Sequence, residues 1–476
     1  MNEKGEGRGA AGAAKLGRRG FIAGGLSAAG FGALFAGNGA LGTTRPTMGG
    51  APMLGFAAKP MERIRTAVIG LGSRGLAMLK RASALPGVEI TAICDIQDAK
   101  IAKAKQILAA QKLPEPKTFK GPEAYRAVCD SDIADVIYNS TPWQLHVPVA
   151  LAAMRGGRHV LTEVTAAMTV DDCWEIVETC EKTRRHCMQL ENCIYGEIEM
   201  LTLNLVRQGV LGEPVHAEGA YNHDGRHMAN DLFPAYQYWR YDHYRAHAGN
   251  VYPTHGLVPL CLTMDVNRGD RLDYVVSMEC KNLCFEYFMQ RSLRAGNPRK
   301  GQVVKNGDVN TSLIRTVGGK TIMLQHAVGA PRPYSRIQTV QGTRGIVSDY
   351  PYRIALEDRC GDFRSNSWRP PKEAEEIRRK YMHPLWKSIG GLAKKHGGHG
   401  GIDYIQDARW SYCLRLGLPL DTSVYDLATT GCLCELTERS VANRSQAVDV
   451  PDFMRGAWKT APRTGLVDID LSKFKV

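Results

Sequence analysis

The chain has 476 residues, 44% apolar and 23% charged, which is enough for roughly two or three domains with a sizeable core. Its formal charge of +13 at pH 7 is spread along the sequence without runs of interleaved basic and aromatic residues, which argues against a nucleic-acid partner. The thirteen cysteines contain no C-x-x-C pair, so neither a zinc site nor a complete disulfide framework is expected, and no metal ligand set stands out.

In chain order, "KLGRRGFIAGGLSAAGFGALFAG" comes first, with Arg18 and Arg19 followed by an uncharged, glycine-rich stretch. It is too weakly apolar for a spanning helix and resembles a twin-arginine export signal. The expectation is a signal peptide over residues 1–40, a linker over 41–62, recognition by the twin-arginine machinery, and a destination in the periplasm or cell envelope. That route carries folded proteins, which predicts a cofactor loaded before export.

"IRTAVIGLGSRGLAMLKRA" then gives a β-branched strand over 64–69, the loop Gly70-x-Gly72-x-x-Gly75 and an amphipathic helix. "VEITAICDI" is a second strand that ends at Asp95. Glycines let a backbone approach a pyrophosphate, a helix N-terminus stabilises its charge, and a carboxylate at the second strand end accepts from ribose hydroxyls, so NAD is the expected cofactor. Further strands are expected at 136–140, 159–162 and 188–191, separated by helical repeats. The result is an N-terminal doubly wound parallel sheet of the Rossmann type over 63–191. "TPWQLH", "TEV" and "ENCIYGE" stand at the carboxyl ends of its later strands, the edge where such sheets bind ligands.

From Asn192 to the C-terminus the sequence predicts an α+β domain with an open mixed, largely antiparallel sheet, its strands near 214–221, 272–280, 311–319 and 321–328. "HAGNVYPTHGLVPL" groups Tyr252, Thr254 and His255 around Pro253, a turn-like stretch suited to a site. The charged, glycine-rich segment 369–401 is expected to be a mobile flap, with His396 and His399 solvated.

Together these motifs resemble the Gfo/Idh/MocA family of NAD(P)-dependent sugar and polyol enzymes. Most members carry Glu-Lys-Pro where this chain has Glu163-Val164-Thr165, so the usual lysine is missing. The stretches "TPWQLH", "HCMQLENCIYGE", "GNVYPTHGL", "DVNRGDRLDYVVSM", "PRPYSRI" and "HGGIDY" are similar to one subgroup, glycoside hydrolase family 109. The resemblance implies NAD contacts from Ser73, Arg74, Asp95, Trp143, Gln144, Leu145, His146, Glu163, Val164 and Asn192. It implies sugar contacts from Tyr221, Arg240, Tyr252, Pro253, Thr254, His255 and Tyr334.

The chemistry implied by the subgroup is glycoside hydrolysis without net redox change: oxidation at carbon-3, loss of the carbon-2 proton, elimination, water addition and reduction. His255 fits proton transfer, and Tyr252 and Tyr195 are candidates to share it; which group handles which proton stays open. Terminal N-acetylgalactosaminides are the first expectation for the glycan substrate, and a homo-oligomer is compatible. Two rivals remain: an exported sugar or polyol dehydrogenase, and a non-catalytic sugar-binding protein that retains NAD.

Overall fold

The computed structural model describes residues 45–46, 49–229 and 238–466. The expected export leader lies outside the described residues.

The β-branched run at Ile64–Ile69 forms β1, followed by β2 (Val88–Asp95), β3 (Lys117–Lys120), β4 (Val136–Asn139), β5 (His159–Thr162) and β6 (Cys187–Gln189). All pair in parallel, in the order β3-β2-β1-β4-β5-β6. With helices on both faces, β4 and β5 are buried at every position, so they read as continuous apolar runs. The sheet winds outward in both directions from β1 and β4, which opens a crevice at their carboxyl ends.

The second sheet comprises β7 (Pro214–Asn222), β8 (Leu272–Glu279), β9 (Asn310–Thr316), β10 (Thr321–Ala327), β11 (Thr339–Gly342), β12 (Gly345–Ser348), β13 (Arg353–Leu356) and β14 (Val448–Asp449). Its order is β13-β12-β11-β7-β10-β9-β8-β14, parallel between β7 and β10 and antiparallel elsewhere. The fold is therefore the expected one, a Rossmann sheet followed by a mixed, mostly antiparallel sheet. Helices Thr254–Thr263 and Leu433–Ala442 cover one face, and burial alternates along β9, whose Leu313 is exposed on the other.

Three segments differ from the sequence reading. The linker is packed from residue 49 onward: Met53 and Ala58 are buried, and the Met53 N–H donates to the Tyr425 hydroxyl at 3.0 Å. The stretch at 369–401 is no flap, because helices begin at Pro371 and Pro384, where a fixed φ suits a first turn, and Leu385 and Ala393 are fully buried. The turn expected at 252–257 is the start of helix Thr254–Thr263, with Pro253 as its N-cap.

Glycines fix the placement of that helix. A Cβ on Gly219 would meet the Gly256 carbonyl oxygen at 2.3 Å, and one on Gly256 would meet the Ala220 nitrogen at 2.4 Å. Only paired glycines let the helix touch β7 so closely, and this contact brings His255 beside Tyr221, their rings 5.4 Å apart.

Helix Ile402–Leu416 comes from the C-terminal half but packs against helix Ser73–Ala82 of the first sheet's domain. Arg81 Nε donates to Asp407 Oδ2 across that contact at 2.9 Å.

Candidate active site

A cavity of about 610 Å³ opens at the carboxyl ends of β1 and β4 and runs to the N-terminus of helix Thr254–Thr263. Gly70 adopts φ +89°, and a Cβ there would strike the Ser140 carbonyl oxygen at 2.6 Å. A Cβ on Gly75 would lie 2.0 Å from the Gly70 carbonyl oxygen, so this glycine serves helix-to-strand packing rather than lining. At Gly72 a Cβ would meet nothing within 4 Å, and helix Ser73–Ala82 has no side-chain cap and no acid in its first turn. Free N–H groups facing open space suit a pyrophosphate. Asp95 lines the same crevice, accepting from the Leu71 and Gln97 N–H groups at 2.6 and 2.9 Å with lone pairs left for ribose hydroxyls. These residues fit NAD.

Ser73 and Arg74 line the cavity, but the Arg74 guanidinium is committed to Glu163 Oε1 at 3.2 Å and Asp403 Oδ2 at 3.0 Å. Burial works against its charge, and the two carboxylates more than offset that. Glu163 also accepts from the Tyr138 hydroxyl at 2.8 Å. The Val164–Thr165 peptide is cis. Its flanking carbonyls fix two ring systems: Trp143 Nε1 donates to Val164 O at 3.0 Å, and His146 Nδ1 lies 2.8 Å from Thr165 O. Val164 lines the cavity with an apolar side chain, so no ammonium stands where the wider family has one. Asn192 donates to Asp403 Oδ1 at 2.6 Å. Gln144 is exposed, Leu145 packs against the core, and neither lines the cavity.

The opposite wall is aromatic. Tyr252 stacks on Trp143 at 5.5 Å and lies 4.6 Å from Tyr221, while the Arg240 guanidinium sits 5.0 Å from the Trp143 ring and 5.2 Å from that of Tyr252. Burial pushes the Tyr252 phenol well up, so it keeps its proton. His255 Nδ1 lies 2.7 Å from Glu191 Oε1, and its Nε2 lies 3.4 Å from the Tyr252 hydroxyl. Glu191 is fully buried; burial works against its charge, but His255 and the Cys193 N–H together hold it below the usual carboxylate range. An ionised Glu191 accepts only, so it places the imidazole proton on Nδ1 and leaves Nε2 toward the cavity.

Several expected residues fall elsewhere. Tyr195 is fully buried and does not line the cavity; its hydroxyl donates to Asp421 Oδ2 at 2.9 Å beneath helix Ile402–Leu416. Pro253 and Thr254 are buried behind His255 as cap and first helical residue. Tyr334 does not line the cavity; it is 40% exposed and packs edge-on to Tyr221 at 6.2 Å. Glu191, His223, Tyr244, His399 and Asp403 were not anticipated. Glu191 stands at a strand end in "ENCIYGE", and His399 and Asp403 both stand in "HGGIDY", so short motifs mark all three without showing what they face. Glu191, Cys193 and His255 also bring three ligand-type atoms within 4.8 Å of one another. Burial pushes the Cys193 thiol well up and Nδ1 faces Oε1 directly, so the arrangement is that of a hydrogen-bonded pair.

Fold and crevice define an NAD-binding Rossmann protein whose cavity takes a second wall from the C-terminal half. The family model described as "Oxidoreductase family, NAD-binding Rossmann fold" matches residues 64–190, and "Glycosyl hydrolase 109, C-terminal domain" matches residues 195–460. The chain is 43% identical over 411 residues to an alpha-N-acetylgalactosaminidase of Bacteroides fragilis, covering 86% of this chain and 96% of that one. It is 42% identical over 419 residues to a glycosyl hydrolase family 109 protein of Shewanella pealeana, covering 88% and 91%. The chain belongs to glycosyl hydrolase family 109. Levoglucosan dehydrogenase, solved with NADH and levoglucosan, shares the fold with a TM-score of 0.62 at 18% identity, covering 82% of this chain and 100% of that one. An oxidoreductase domain protein from Kribbella flavida gives 0.64 at 16%, with the same coverage of each chain.

Proposed function

We propose that this hydrolase is an exported glycosidase that cleaves terminal N-acetylgalactosaminide-type glycosides by oxidation, elimination, water addition and reduction, with no net redox change. The observation that carries the reading is the Glu191–His255–Tyr252 array opening onto the same cavity as the dinucleotide loop. When bound, NAD supplies a reversible hydride acceptor for carbon-3 of the sugar.

The protons fall to this chain. With Nδ1–H donated to Glu191, His255 Nε2 can take a proton from a sugar position or from the Tyr252 hydroxyl and later return it. Tyr252, kept neutral by burial, is the donor that a departing glycosidic oxygen requires. Arg240 offers N–H donors suited to a carbonyl such as an acetamido group, its plane supported by Trp143 and Tyr252. Val164 supplies no proton-transfer group, which leaves the task to His255. Arg18 and Arg19 are the basis for proposing twin-arginine export to the periplasm or envelope.

A panel of chromogenic α- and β-glycosides, assayed without added nucleotide, tests the reading. Aglycone release from an N-acetylgalactosaminide with no accumulating NADH is expected. An oxidised sugar with accumulating NADH would instead identify a dehydrogenase, and sugar binding without turnover a binding protein.

A further inference from the structure

We infer that Tyr350, together with Tyr334, forms a platform beside the cavity that holds the sugar on the leaving side of the scissile glycosidic bond. The inference rests on the proposed glycosidase activity. Aromatic rings lead outward from the cavity in succession: Tyr221 and His223, which line it, lie 6.2 and 5.5 Å from Tyr334, and Tyr334 lies 6.1 Å from Tyr350. The last two rings are inclined at 67° and so make a corner. Tyr334 is 40% exposed and Tyr350 36%, an aromatic pair open to solvent and continuous with the site.

The corner is held in place from behind. The Arg336 guanidinium sits 5.6 Å from the Tyr334 ring centroid and 5.5 Å from that of Tyr350, and its Nη1 donates to the Tyr334 hydroxyl at 3.1 Å. Its Nε donates to Glu199 Oε1 at 2.8 Å, and the Glu199 side chain is only 2% exposed, so a buried ion pair fixes both rings. Tyr350 adopts φ +66°, a left-handed conformation that strains a bulky residue, and its N–H donates to Asp349 Oδ1 at 2.7 Å. Packing gains little from an exposed ring at a strained position, which points to a contact that the ring makes with a ligand.

The chemistry of the corner selects the occupant. Arg336 is spent on Glu199, so the corner offers aromatic surface and two phenolic hydroxyls, both kept protonated by burial. A pyranose matches that offer, with an apolar C–H face to lie on a ring and hydroxyls to meet the phenols. Tyr221 joins the two places, 4.6 Å from Tyr252 on one side and 6.2 Å from Tyr334 on the other, so a sugar on the corner adjoins one in the cavity.

The test compares three substrates on the full-length, NAD-loaded protein: a methyl N-acetylgalactosaminide, the disaccharide N-acetylgalactosaminyl-galactose, and a tripeptide carrying N-acetylgalactosamine on threonine. The readout is kcat/KM for each of the last two divided by that for the methyl glycoside, a ratio taken within one protein and therefore insensitive to how much of it is folded. Wild type should prefer the disaccharide, Tyr350→Ala should lower that preference by roughly 3- to 10-fold, the worth of one aromatic stacking contact, and Tyr350→Phe should keep it. A wild-type ratio in Tyr350→Ala overturns the platform and leaves the glycosidase reading standing. A preference for the glycopeptide alone, lost in Tyr350→Ala, overturns the sugar as occupant. A wild-type protein that cleaves none of the three overturns the glycosidase reading and the platform with it.

Discussion

Replacing Glu191 by Gln removes a charge from the least exposed carboxylate at the site while keeping its shape. In the wild-type protein Oε1 accepts from His255 Nδ1 at 2.7 Å and from the Cys193 N–H at 3.0 Å, and the Thr254 hydroxyl also favours the ionised carboxylate. The amide oxygen can keep both donors, so the fold should survive. The amide N–H₂ can equally meet the imidazole, however, and then Nε2 carries the proton and can no longer accept one. Loss of the charge-assisted bond alone is worth about 1.5–3 kcal/mol, or roughly 10- to 100-fold, and a wrong tautomer in a comparable histidine–carboxylate pair costs up to about 10⁴-fold. We expect Glu191→Gln to lower kcat by about 10²–10³-fold and His255→Ala by about 10²–10⁴-fold, both with bound NAD retained. Steady-state kinetics on a chromogenic glycoside, paired with mass spectrometry of nucleotide released on denaturation, measures both. A Glu191→Gln enzyme with wild-type kcat refutes the tautomer argument, and one that sheds NAD makes Glu191 structural.

Tyr195→Phe should leave turnover unchanged but lower the melting temperature, since it removes a buried bond to Asp421 and leaves that carboxylate one donor short; a loss of kcat without destabilisation would return Tyr195 to the chemistry. Burial pushes Glu279 up to about 7 from its ordinary 4.5, although backbone N–H groups pull the other way. A folded value above the unfolded one means that stability is lost as pH rises from 4.5 through 7, so Glu279→Gln should melt higher than wild type at pH 8 and alongside it at pH 5. An equal difference at both pH values contradicts that origin. Changing Arg18 and Arg19 to Lys should trap the protein in the cytoplasm on cell fractionation, and unchanged export would remove the twin-arginine proposal.

What the sequence made legible followed from signals that are local. β1 and β5 were read at their observed bounds because apolar, β-branched runs end at turn residues, and Gly70, Gly72 and Asp95 were found by spacing along one βαβ unit. The four-residue strand Lys117–Lys120 carries two lysines at an edge, so no apolar run announces it. Pro253 suggested a turn where it caps a helix, and charge and glycine content made the segment 369–401 look mobile where Pro371 and Pro384 each open a helix. The partners that define the site are remote in the chain. Glu191 meets His255 across 64 positions and Asp403 meets Arg74 across 329, distances over which no periodicity or motif carries information.

The central claim is that the sugar is oxidised and re-reduced in the course of hydrolysis, which makes the carbon-2 proton of the substrate exchangeable. Hydrolysis of an N-acetylgalactosaminide in deuterated water, followed by NMR of the released sugar, tests it most directly. The account predicts deuterium at carbon-2 with no net NADH, because the proton removed there is replaced from solvent; a fully protonated carbon-2 from an active preparation would contradict it.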